Sequence, residues 1–226
     1  MPKTISPSSR FAVLFIAALV PFSSGAASHS SSAFPKPAVD AHIATSHGQE
    51  QAVLSGGCFW GVQAVFAHTR GVVSVVSGYA GGKADTAHYE QVETGSTGHA
   101  ESVRITYDPA QITYGELLMI FFSVAHDPTQ LNKQGPDWGA QYRSVIFYST
   151  PEQKKIAEAY IAQLEAARVY SQKIVTQVAP MKDFFPAEGY HQDYVKHHPE
   201  NPYIVINDLP KLATLHRQFP QFYREH

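Results

Sequence analysis

Hydrophobic periodicity runs strand, helix, strand, strand, helix, strand along this chain, an order that predicts an α+β fold of the ferredoxin-like split βαβ type. The expected architecture is a sandwich: a mixed sheet flanked by helices, with a long irregular C-terminal segment. Two further observations support it. The chain is 44% apolar and 12% aromatic, enough for a substantial core. Beyond about residue 49 the chain shows no second linker and no internal repeat, so these runs read as one domain.

Gln51 to Leu54 reads as a first short strand, and Gly57 to His68 as a helix with Phe59, Val62, Val65 and Phe66 on one side. Val72 to Gly78 is a second strand that ends in Tyr79-Ala80-Gly81-Gly82. His99 to Tyr107 is a third, stopped by Asp108-Pro109. Thr113-x-x-Glu116 is a capping box opening a helix with Tyr114, Leu117, Leu118, Phe121 and Phe122 at core spacing. Arg143 to Tyr148 is a fourth strand. Thr150-Pro151 starts another helix, with Ile156, Tyr160, Ile161 and Leu164 apolar. Ile174 to Val178 is a further strand, after which the pattern weakens.

The N-terminus reads as a targeting segment. Lys3 and Arg10 precede the apolar run Phe11 to Val20, and Ser23-Ser24-Gly25-Ala26-Ala27 offers a cleavage site. The run is too short for a stable bilayer span. The division expected is therefore a signal peptide over 1–27, a flexible Ser/Ala/Pro/His-rich lead-in over 28–49 and one domain over 50–226. A periplasmic or secreted location follows, with no stable membrane insertion after cleavage. Net charge is −2 with no block of like charge, which argues against nucleic-acid binding.

Cys58 is the only cysteine in 226 residues. It cannot pair within the chain, and a free thiol in an oxidising compartment is a liability unless it does chemistry. The run Ser55-Gly56-Gly57-Cys58-Phe59-Trp60-Gly61 sets it at a helix N-terminus, where backbone N–H groups and the helix dipole favour a thiolate. A small core residue is the competing reading. Strand parity marks a second residue. Glu101, Val103, Ile105 and Tyr107 share one face of the third strand, so Glu101 falls on the apolar side. Burial there would keep a carboxyl protonated near neutral pH, ready to act as a general acid. A glutamate at a strand end could instead escape to solvent or pair with an arginine.

Four ordered blocks carry a resemblance: Gly57-Cys58-Phe59-Trp60-Gly61, Gly98-His99-Ala100-Glu101, Asp137-Trp138-Gly139-Ala140-Gln141-Tyr142-Arg143-Ser144, and Pro186-Ala187-Glu188-Gly189-Tyr190-His191-Gln192-Asp193-Tyr194. Together they resemble the peptide methionine sulfoxide reductase A family over roughly residues 51–198. The resemblance implies reduction of methionine S-sulfoxide, free or in oxidised client proteins, back to methionine. Cys58 would attack the sulfoxide sulfur and Glu101 would protonate its oxygen. Tyr89 and Tyr142 would hydrogen-bond that oxygen, with Asp137 behind them through water. Phe59 and Trp60 would hold the S-methyl group, and Tyr190 joins them as a substrate-pocket residue.

The product state would be a Cys58 sulfenic acid, which a thiol can reverse. Relatives often supply that thiol themselves, from the C-terminal tail or from the position of Glu93; this chain has none. The implied cycle therefore uses one cysteine and an external reductant, a thioredoxin, glutaredoxin or glutathione. It uses no bound cofactor and no metal, in a monomer. The histidines at 99, 126, 191, 197 and 198 match no common ligand spacing. A thiol peroxidase and a non-catalytic methionine-binding module remain as rival readings.

Overall fold

A computed structural model describes residues 1, 3 and 34–226. Apart from Met1 and Lys3, the targeting segment expected over 1–27 lies outside them. The chain divides into Met1–Ser32 and Ala33–His226, and the second unit carries every element named here. In chain order these are β1 (Glu50–Ser55), α1 (Phe59–Ala67), β2 (Val72–Ala80), α2 (Tyr89–Val92), β3 (Ala100–Tyr107), α3 (Tyr114–Ile120), β4 (Lys133–Gln134), β5 (Asp137–Trp138), β6 (Val145–Tyr148), α4 (Pro151–Ala166), β7 (Gln177–Pro180), β8 (Phe184–Pro186), α5 (Tyr194–His197), α6 (Pro202–Asn207) and α7 (Leu209–Gln218).

The main sheet runs β7-β6-β1-β3-β2-β8. Strands β1 and β2 both lie antiparallel to β3, which sits between them, and β6 is antiparallel to β1. This is the split βαβ arrangement: α1 links β1 to β2 across β3, and α3 lies between β3 and β6 in the chain. Helix α4 then connects β6 to a parallel β7. Strand β1 is buried on both faces. Ala52 and Leu54 join the large core beside α1 and α3, and Val53 joins a smaller cluster with Ala80, Ala100, Val145 and Phe147. A separate two-stranded hairpin pairs β4 with β5.

Several local expectations shift. The strand expected at 174–178 begins at Gln177, because parallel pairing with β6 starts at Val145↔Gln177 and the Val175 N–H is taken by Pro128 O. Strand β6 starts at Val145 rather than Arg143. The Arg143 guanidinium instead donates to the carbonyls of Gly98, His99 and Ala140. The tail after β8 is not irregular throughout but carries three short helices. Two of them have proline in the first turn, preceded by Asn201 and Asp208. Helix α3 continues directly into a π-helical turn, Phe121–Ala125, which simple helical periodicity does not reveal.

Over its described part, the lead-in is hydrogen-bonded to the domain. The Tyr160 hydroxyl donates to Pro35 O, and Gln163 bonds both Lys36 O and the Ala38 N–H. Asp40 accepts from the Thr113 hydroxyl and from the Gly115 N–H at 2.7 Å, adding a second cap to the Thr113–Glu116 capping box of α3. Asp40→Ala should therefore cost about 1–2 kcal/mol of unfolding free energy, read as a lower urea midpoint with an unchanged m-value.

Candidate active site

Strand β1 ends at Ser55, and the chain turns through Gly56 and Gly57 into α1. Gly57 has φ +91°, and the Gln134 side chain occupies the place a Cβ would take, 2.4 Å away. Cys58 follows as the N-cap of α1, so its position is set by the strand-to-helix turn. The thiol is free and 9% exposed.

The structure corrects the expected charge of this sulfur. Burial raises the Cys58 pKa well above its ordinary value, and Glu101 and Asp208 push the same way. A backbone hydrogen bond from Trp60 and the Lys211 ammonium oppose them without prevailing. The resting group is a thiol; the helix terminus does not outweigh desolvation in the free protein.

Glu101 lies on the apolar face of β3, as parity predicts, and is 3% exposed. Its Oε2 accepts the Phe59 N–H at 3.0 Å, which brings the carboxyl to the first turn of α1 beside Cys58. Burial drives its pKa up to about 8, against the lowering effect of that hydrogen bond, with Asp137 adding a further rise. The carboxyl is neutral at pH 7. Because Oε2 is the acceptor, Oε1 is the oxygen free to carry the proton.

Tyr89, at the start of α2, and Tyr142 are half-buried. Burial and then the Glu101 charge raise both phenols, Tyr89 to about 12 and Tyr142 well above its usual range. Each is also influenced by Cys58, so the two phenols, the thiol and the carboxyl share one site. Glu188 fixes the Tyr89 end: it accepts the Tyr89 N–H at 3.0 Å and the Tyr79 hydroxyl at 2.8 Å.

The aromatic residues form a cage around His191. Its ring centroid lies 5.0 Å from Phe59, 4.5 Å from Tyr89 and 4.3 Å from Tyr190. The Trp60 indole N–H donates to His191 Nδ1 at 3.1 Å, which places the histidine proton on Nε2. Trp60 also stacks on Tyr194, with centroids 3.7 Å apart. Phe59 is 1% exposed and packs against Tyr79, so its ring is a fixed wall. Tyr190 stands at the rim, exposed. Gln192 secures the 186–194 block to the sheet: its Oε1 accepts the Ser77 N–H, and its Nε2 donates to Ser77 O and Ala187 O.

On its other side Cys58 borders a cavity of about 220 Å³ between the β4–β5 hairpin and the tail helices. Asp137, Tyr203, Ile206 and Lys211 help line it. Asp137, expected to sit behind the phenols, accepts the Tyr203 hydroxyl at 2.5 Å. Sequence reasoning did not single out Tyr203, Asp208 or Lys211. The Asp208-x-x-Lys211 spacing at a proline-started helix was the available signal. Neutral acid, thiol, phenols and apolar cage together can polarise a small oxidised sulfur group, deliver a proton to its oxygen and receive that oxygen on sulfur.

Comparison with known proteins agrees with this chemistry. A family model described as peptide methionine sulfoxide reductase matches residues 50–222. A Mesorhizobium japonicum protein described as peptide methionine sulfoxide reductase MsrA 2 is 59% identical over 178 residues, 79% of this chain and 91% of that one. A Synechocystis protein of the same description is 53% identical over 191 residues, covering 84% and 89% of the two chains. The solved methionine sulfoxide reductase A of Corynebacterium diphtheriae superposes with a TM-score of 0.60 at 37% identity, covering 68% of this chain and 77% of that one. A family match spanning the whole sheet, α1 with its cap cysteine, and most of the tail leaves one conclusion: this chain belongs to the peptide methionine sulfoxide reductase family, thiol-dependent oxidoreductases acting on a sulfur group.

Proposed function

We propose that this protein reduces the S-epimer of methionine sulfoxide, free or within oxidised proteins, through a one-cysteine cycle. The observation that carries the reading is the neutral Glu101 carboxyl, held by the Phe59 N–H one residue beyond Cys58. Glu101 gives its proton to the sulfoxide oxygen, which makes the bound sulfur a better electrophile. The Cys58 sulfur attacks it, and the thiol proton passes to the Glu101 carboxylate. The hydroxyl then passes to Cys58: the substrate sulfur–oxygen bond and the bond between the two sulfurs break as a bond forms between the oxygen and the Cys58 sulfur. The substrate sulfur gains two electrons and leaves as a thioether, while Cys58 loses two and holds the oxygen as a sulfenic acid. Tyr89 and Tyr142 stabilise the oxygen as charge builds. Trp60 and Phe59, with Tyr190 at the rim, hold the methyl side. The opposed polar and apolar sides discriminate between the epimers.

An external thiol closes the cycle, since Cys58 has no partner cysteine. A dithiol of the thioredoxin class fits, because it can form and then clear a mixed disulfide; a glutaredoxin or glutathione serves the same chemistry. The basic region, apolar run and small-residue stretch before residue 28 support export, with work in the periplasm or outside the cell. The working unit is a monomer.

With dithiothreitol and separated epimers of a methionine sulfoxide, chromatography should show loss of the S-epimer only; consumption of neither epimer refutes the reading. Cys58→Ser should abolish turnover. Glu101→Gln should slow it by about 10²–10⁴-fold, and the wild-type rate should fall as pH rises through about 8, where the acid is lost.

The same carboxyl predicts a stability effect of opposite sense. Its folded pKa is about 8 against an ordinary 4.5, so the unfolded chain ionises first as pH rises. Wild-type stability is lost across that window, and an amide loses none. Glu101→Gln should therefore melt higher than wild type at pH 7–8, with the difference shrinking towards pH 4.5, as read by thermal denaturation across pH.

A further inference from the structure

We propose that Lys211, carried on the tail helix α7, is an electrostatic positioning residue for Cys58, its ammonium group supporting the sulfur anion released when an external dithiol regenerates the enzyme. The inference rests on the reading of Cys58 as the reacting sulfur. In that step a thiolate of the dithiol attacks the Cys58 sulfenic sulfur, the sulfenic oxygen takes a proton from the neutral Glu101 carboxyl and leaves as water, and a mixed disulfide forms. The dithiol's second sulfur then attacks its own partner sulfur, and Cys58 departs with the bonding pair. A departing sulfur of lower proton affinity leaves faster.

The geometry places the cation for this task. Lys211 and Cys58 line the same cavity, along with Asp137 and Tyr203. A Cβ added at Gly61 would lie 2.7 Å from Lys211 Nζ, so the ammonium rests on the first turn of α1, the helix that Cys58 caps. It is anchored there by Asp208 Oδ1 at 3.1 Å. Asp208 is fully buried, and its Oδ2 has no hydrogen-bond partner among the described residues. An anchor so placed holds the lysine over the helix terminus rather than leaving it to solvent.

Among the described residues, the other side chains that act on Cys58 or line its site are acidic or neutral. Glu101 approaches from β3, Asp137 from β5, Tyr203 from α6, Asp208 from the head of α7, and Tyr89 and Tyr142 from the phenol side. His126, behind the Gly56 turn, is neutral, its pKa lowered by burial to about 4. Lys211 is the cation that lowers Cys58, and Asp208 opposes it. The pair thus acts on the proton affinity of the sulfur in opposite senses, within the larger rise that burial and Glu101 impose.

A lysine serving only to neutralise Asp208 would give the same contacts, so the test reads the sulfur itself. The rate of Cys58 alkylation by iodoacetamide is followed against pH in wild type, Lys211→Met, Lys211→Arg and Asp208→Asn, with folding checked by near-UV circular dichroism. Lys211→Met should raise the midpoint by about one pH unit, Lys211→Arg should restore most of it, and Asp208→Asn should lower it. An unmoved midpoint in folded Lys211→Met overturns the proposal, as does an unmoved or raised one in Asp208→Asn. If Lys211→Met does not fold, the downward shift in Asp208→Asn decides alone. Alkylation needs no sulfoxide, so a failed epimer assay beside shifted midpoints counts against the reductase reading and not against Lys211.

Discussion

The hydrogen bond from the Phe59 N–H to Glu101 Oε2 ties the reactive end of α1 to the central sheet. It exists because β3 pairs with β1 and β2 in a register that sets Glu101 opposite Tyr79, on the core side. A one-residue slip would turn Glu101 to the other face with Ser102 in its place. The core behind β3, from Val103 through Ile105 to Tyr107, fixes that register with apolar area, and the chemistry inherits it. One consequence is a site that works against its own fold. The carboxyl is kept neutral by a desolvation that ionisation would make costly, the usual tension between stability and an acid tuned towards neutral pH.

The rest of the site is held by polar side chains acting on backbone. Glu188 fastens α2 through the Tyr89 N–H and the sheet through Tyr79; Gln192 mimics a strand partner at Ser77; Gln63 on α1 accepts the Asp193 N–H. Arg143 gathers three carbonyls of the loops leading into β3 and β6. Each of these groups is half-buried or buried, and each replaces water that the folded chain excludes. The aromatic cage therefore rests on a frame of amides and carboxylates rather than on stacking alone.

Much of this was legible in the sequence. The alternation of β3 is local, and it correctly put Glu101 inside. The Gly-Gly-Cys turn and the Thr113 capping box are likewise local signals, and both sit where they were read. What was not legible depends on long-range contact. Strand β8 is three residues ending in proline, and it is a strand only because β2 offers an edge. The neutral resting state of Cys58 reflects burial contributed by residues from β3 to α7, which no window around position 58 contains. The Asp137–Tyr203 bond likewise joins residues 66 positions apart.

The Asp40 cap bears on where this domain begins. The family match starts at residue 50, yet the helix leading into the Phe121–Ala125 turn takes part of its N-terminal hydrogen bonding from residue 40. That turn lies under the cysteine loop, with His126 and Phe121 packed against Gly56. Trimming a recombinant version to the homology boundary would remove the clasp and loosen the floor beneath the nucleophile, so the smallest faithful unit is set by hydrogen bonding rather than by kinship.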